Sequence, residues 1–216
     1  MRLRVLWLSS AAILALLATY YAGYRQGVQK RFVAQNPAIA RAGESDRLRE
    51  PAPRTAPLNS ISQDDYDALL ARDLAPPISG LKRSEILDTF DQGRAGGKRH
   101  EATDIMAPRG TPIHAVEDGT IRKLFLSKAG GNTIYEFDPQ AVYCFYYAHL
   151  DRYAEGLQEG MKMRKGDVIG YVGSTGDAVR TAPHLHFAIV RLGTDKKWWE
   201  GTAINPYPIL LRLASE

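Results

Sequence analysis

The sequence predicts a mostly antiparallel β domain, set behind an N-terminal membrane helix, a linker and a short helix. Three observations carry this. Residues 5–22, VLWLSSAAILALLATYYA, contain no charged side chain. Residues 23–60 are polar and rich in Pro, Ala and Arg, without sustained periodicity, which is the composition of a tether rather than a core. Beyond them come short β-rich runs separated by Gly, Pro and Asp-Gly: TPIHAVEDGTIRKLFL, GGNTIYEF, AVYCFYYAHL, DVIGYVGSTG and HLHFAIV. Turn signals at that spacing suit an antiparallel sheet rather than βαβ units.

The apolar run from Val5 to Ala22 reaches about 27 Å as a helix, close to the hydrocarbon thickness of a bilayer. Arg2 and Arg4 precede it, Arg25, Lys30 and Arg31 follow it, and Tyr20, Tyr21 and Tyr24 cluster at its far end. The rival is a cleaved signal peptide, which wants small residues at −3 and −1. Cutting after Ala22 would put Tyr20 at −3, and the run is long for a signal h-region. Residues 1–24 are therefore read as an uncleaved signal anchor, with the rest of the chain outside the cytoplasm.

Residues 25–77 are read as a linker carrying one short helix near 62–74. Ser62 is its N-cap, Asp65 follows three positions on, and Leu69, Leu70 and Leu74 offer a docking stripe. Residues 78–216 form the domain. Its tail, KKWWEGTAINPYPILLRL, is expected to close the sheet edge, with Trp198 and Trp199 packing there in preference to stacking on sugars.

The formal net charge is +4, but it sits at one end. Residues 1–50 hold eight Lys/Arg against three Asp/Glu, while the remainder hold 20 against 21. The domain lacks the basic excess that nucleic-acid binding requires. The lone cysteine, Cys144, makes no intramolecular disulfide. Strand alternation puts it on the face opposite His149, so it is read as a small core residue rather than half of a Cys–His pair.

The chemistry begins with HLH at 184–186. In a strand, Leu185, Phe187 and Ile189 form one face, while His184 and His186 share the other, about 7 Å apart. Upstream, KRHEATD holds His100 and Asp104. On a straight strand these two lie about 13 Å apart, too far for one ion, so a common metal requires a kink or bulge near Ala102. His100, Asp104 and one HLH histidine would make up a three-ligand zinc site, and no thiolate cluster competes. His149 ends an aromatic strand, and His114 falls outside these groupings.

HxxxD, APRGTPIHAVEDGTI, GGNTI, YYAHL, GDVIGYVGSTG and PHLHF, in that order, resemble the lysostaphin-like (LytM-type) zinc endopeptidases that cut peptidoglycan. The resemblance covers roughly residues 78–208. It implies an antiparallel β domain, one zinc held by His100, Asp104 and His186, and catalytic roles for His149 and His184 in handling the attacking water and the oxyanion. It also implies peptidoglycan peptide as substrate, and with the N-terminal signal anchor the expectation is a single-pass protein of the bacterial inner membrane with its catalytic domain in the periplasm. Protein partners stay unknown. The alternative is a non-cleaving module of the same type that binds cell wall or activates another hydrolase. Family members often have HxGxD, whereas this chain has Ala102. Alanine is harmless there if its dihedrals are ordinary and costly if φ must be positive.

Overall fold

The computed structural model describes residues 63–94 and 97–216. The segment from Val5 to Ala22 and the linker up to and including Ser62 lie outside the described residues. Among the described residues no helix is long and apolar enough to cross a membrane.

The short helix α1 spans Gln63–Leu70 and ends earlier than the leucine pattern suggests. Leu69 is fully buried and Leu74 nearly so. The helix docks through charge as well. Asp65 receives the Tyr143 hydroxyl at 3.1 Å and Arg191 at 3.0 Å. Arg72, just past the helix, reaches Glu117 at 2.8 Å and the fully buried Asp138 at 2.9 Å.

Ten strands follow: β1 (Thr103–Met106), β2 (Pro112–His114), β3 (Gly119–Ser127), β4 (Gly131–Phe137), β5 (Tyr143–Leu150), β6 (Arg152–Tyr153), β7 (Lys162–Met163), β8 (Val168–Tyr171), β9 (His184–Leu192) and β10 (Gly201–Ile204). A seven-stranded sheet runs β1-β9-β5-β4-β3-β7, with β10 also pairing β9, and a three-stranded sheet runs β2-β8-β6. Every named pairing is antiparallel. The predicted strands are thus present, and the mainly β class is correct.

β5 is central, and its near-unbroken apolar run is buried almost throughout. One face, with Phe145 and Tyr147, meets Ile189 and Phe187 of β9 in the core. The small sheet packs closely at Gly170, where a side chain would collide with Leu150 and the Arg152 carbonyl. On the opposite face Cys144, Phe137 and Leu192 form a small cluster covered by Trp198. Cys144 is buried as expected, and its face is that of Ala148 and His186. Trp198 packs on Tyr135 and Phe125, while Trp199 stands 48% exposed beside it. The tail adds β10 and then a second helix, α2 (Tyr207–Leu213), burying Ile209 and Leu210.

Candidate active site

β1 and β5 flank β9, and their register brings one face to a point. Asp104 pairs with His186, which pairs on its other side with Ala148, and Met106 pairs with His184. Direct partners in an antiparallel ladder share a face. Asp104 and the two HLH histidines are therefore neighbours by register, and Leu185, Phe187 and Ile189 are buried beneath them.

His100 reaches this face because the chain turns before β1. Glu101 has φ +57°, a left-handed conformation unusual for a side-chain-bearing residue, and Ala102 is not among the residues with positive φ. The required kink exists, at Glu101 beside Ala102. Ala102 is fully buried with ordinary dihedrals, so it replaces glycine without backbone strain.

The resulting geometry is tight. His100 Nε2 lies 3.0 Å from Asp104 Oδ1 and 3.0 Å from His186 Nδ1, and His186 Nδ1 lies 3.1 Å from Asp104 Oδ1. Three ligand-type atoms thus form a nearly equilateral triangle. A tetrahedral zinc with ligands at about 2.0–2.1 Å separates them by about 3.3 Å, so the set fits that ion. The donor chemistry agrees. His100 Nδ1–H donates to the Thr89 carbonyl at 2.9 Å, which leaves Nε2 to present its lone pair. Burial lowers the His186 pKa despite the opposing hydrogen bond to Asp104, favouring neutral imidazole. Burial works to raise the Asp104 carboxyl, but its close contacts with the His100 and His186 rings prevail and hold it well below the usual carboxylate range.

His149 and His184 stand beside this triangle. The ring of His149 is 4.9 Å from that of His184 and 5.5 Å from that of His186, and His184 Nε2 is 3.8 Å from Asp104 Oδ1. Each spends Nδ1–H on a carbonyl at 2.9 Å, His149 on Thr175 and His184 on Ala182. Burial first, and the neighbouring His186 second, bring the His149 pKa down to about 4. The loop carrying Thr175 can lie this close because residue 173 is glycine. A side chain there would meet Asp151 and the His149 carbonyl. Alternation alone would send His149 to the core face with Tyr147. Between Asn132↔Leu150 and Ile134↔Tyr147, β4 advances two residues and β5 three, and within this bulge His149 takes φ +62°. The bulge re-aims the side chain. His114 lies elsewhere, on β2, its Nδ1–H bonded to the Gly166 carbonyl at 2.8 Å.

Two residues at the site were not legible in the sequence. Thr89, itself buried, accepts the Asp104 amide at Oγ1 (3.2 Å) and donates to the Ala102 carbonyl (3.3 Å), while its own carbonyl holds His100. Arg94 donates from Nη2 to Asp104 Oδ2 at 2.9 Å. Neither belongs to a spacing that signals chemistry.

A mainly antiparallel β domain with a His/Asp/His set on one sheet face defines a metallopeptidase of the LytM/lysostaphin type. The model of peptidase family M23 matches residues 98–206, half of the chain, and the chain belongs to that family. It is 35% identical over 121 residues to the L-Ala--D-Glu endopeptidase of Bacillus subtilis, taking in 53% of this chain and 36% of that one. It is 36% identical over 99 residues to the peptidoglycan DD-endopeptidase ShyC of Vibrio cholerae, or 46% and 22% of the two chains. The chain thus spans about a third or less of the length of these relatives. Among solved structures, lysostaphin from Staphylococcus simulans aligns with a TM-score of 0.51 at 29% identity, covering 66% of this chain and 56% of that one. A candidate glycyl-glycine endopeptidase lytM from Ruminococcus gnavus also aligns at 0.51, with 34% identity and 60% and 53% coverage.

Proposed function

We propose that this chain is a membrane-anchored zinc endopeptidase that hydrolyses peptide cross-links of peptidoglycan. The observation that supports it most is the triangle of His100 Nε2, Asp104 Oδ1 and His186 Nδ1, with sides of 3.0–3.1 Å, in a chain of a peptidase family. Residues 1–24 are the anchor in the bacterial inner membrane, 25–77 the linker with its helix, and 78–216 the catalytic domain in the periplasm. The uncharged run from Val5 to Ala22 and its flanking cations support that topology.

His100, Asp104 and His186 hold one zinc, which supplies Lewis acidity toward the scissile carbonyl and toward water. His149 is neutral near pH 7, and with Nδ1–H spent on Thr175 it offers Nε2 to the proton of the attacking water. His184, its Nδ1–H on the Ala182 carbonyl, would donate from Nε2–H as an imidazolium to the developing oxyanion and keep that proton throughout. The water proton then passes from imidazole to the leaving amine, so the rings return to their starting state. No glutamate base is needed.

Digestion of purified cross-linked muropeptides by the zinc-loaded protein, read by mass spectrometry, tests this. New amine and carboxyl termini at a cross-link are expected. Zinc binding with no product would leave the non-cleaving module in its place.

A further inference from the structure

The Arg94–Asp104 contact has a chemistry that the zinc site does not use. Asp104 gives Oδ1 to the triangle and Oδ2 to Arg94 Nη2 at 2.9 Å. The Arg94 side chain is 47% exposed, so it stands at the rim rather than beneath the site. A guanidinium carries five N–H donors in a planar fork matched to a carboxylate. Asp104 occupies one of them, and among the described residues no second partner takes the rest. The contact also fixes where the fork sits, so little side-chain entropy remains to be lost when a second anion arrives.

The surroundings add charge of the right sign. The Arg94 amide bonds the Lys98 carbonyl at 2.8 Å, and Arg99 pairs with Gly93, so Lys98 and Arg99 lie close by. Arg99 pairs with Asp91 at 3.1 Å, while Lys98 is exposed. With a dication held by His100, Asp104 and His186, the rim beside Arg94 would be strongly electropositive. A peptide ligand bearing a carboxylate near its reactive bond meets that need, and Arg rather than Lys is suited to a planar, bidentate grip.

We propose that Arg94, moored by Asp104 at the rim of the three-ligand site, anchors a carboxylate of the substrate peptide beside the bond to be cut. This rests on the peptidase reading above, and the two can be told apart. Wild-type full-length chain, Arg94→Gln and Arg94→Lys are loaded with zinc and matched for metal content by elemental analysis. Two measurements are made. The first is the affinity for an uncross-linked muropeptide monomer, which offers no cross-link to cut, with its carboxylates free or amidated, by calorimetry. The second is KM and kcat on the cross-linked dimer in the same two forms.

Wild type is expected to bind the free-carboxylate monomer about tenfold to a hundredfold tighter than the amidated one, the worth of a charge-assisted hydrogen bond. Arg94→Gln erases that preference, Arg94→Lys keeps part of it, and on the dimer the loss falls on KM. A preference for the free carboxylate that survives in Arg94→Gln would mean the metal alone reads it, and overturns the proposal. Equal weakening toward both forms would make Arg94 only a brace for Asp104, and overturns it too. Arg94-dependent binding of the monomer without cleavage of the dimer sustains the anchor and defeats the peptidase reading. Cleavage without discrimination at Arg94 does the reverse.

Discussion

His149 meets His184 ring to ring at 4.9 Å because a β-bulge at the end of β5 turns His149 out of the core face to which alternation assigns it. Both rings are locked by Nδ1–H bonds to loop carbonyls, so both present Nε2 beside the His/Asp/His triangle. In the proposed function this pairing would handle the proton while the triangle holds the metal, so mutation should separate the two.

His184→Ala and His149→Ala should keep near-stoichiometric zinc and lose about a hundredfold to a thousandfold in turnover, the scale of one lost oxyanion donor. His100→Ala, Asp104→Ala and His186→Ala should lose zinc and activity together, since two ligands hold a hydrated dication poorly against a chelator. His114→Ala should change neither. Zinc content and muropeptide cleavage on the same preparations check this. Zinc retained in His186→Ala but lost in His184→Ala would reverse the roles.

Thr89→Val should weaken zinc binding by about tenfold to a hundredfold, although Thr89 touches no ion. The substitution keeps shape but removes the hydroxyl that accepts the Asp104 amide and donates to the Ala102 carbonyl. Competition with a chromophoric chelator measures it. An unchanged affinity would show that the kink at Glu101 and the sheet register alone fix Asp104.

Glu136 should make stability fall as pH rises. It is fully buried in β4, accepts the Tyr147 hydroxyl at 2.7 Å on Oε2, and has no partner for Oε1. Burial first, against that hydrogen bond, pushes its pKa up from 4.5 to about 8, with Glu117, Asp118 and Asp167 adding repulsion. The folded state therefore binds the proton more tightly than the unfolded chain. The contribution is complete below about pH 4.5 and is lost as pH climbs toward about 8. Glu136→Gln should flatten the dependence across that window, as read by urea midpoints at several pH values. A wild-type slope retained in the variant would mean the carboxyl is not the source.

Arg72→Ala should cost up to about 3 kcal/mol of stability, the low end for breaking a buried pair, because Asp138 keeps the Val142 and Tyr143 amides. Arg191→Ala should cost less, about 1 kcal/mol, since that side chain is half exposed and the buried Asp65 keeps the Tyr143 hydroxyl. Denaturant titration of both variants at neutral pH gives the comparison, and equal losses would contradict the burial argument.

The features legible in the sequence were local and periodic. Two-residue alternation in HLHFAIV placed His184 and His186 on one face above Leu185, Phe187 and Ile189, since a strand admits no other arrangement. Turn signals marked the strands, the ordered motifs pointed to the family, and the 13 Å span of a straight HxxxD strand demanded a kink. The tertiary structure decided what depends on contacts distant in sequence. Register put Asp104 against His186 across 82 residues. The kink near Ala102 fell on Glu101, and the bulge reversed the face of His149, because a single positive φ overrides alternation without any mark in composition. Thr89 and Arg94 joined the site through contacts distant in sequence, where a backbone carbonyl, a hydroxyl and a guanidinium act by position rather than by motif.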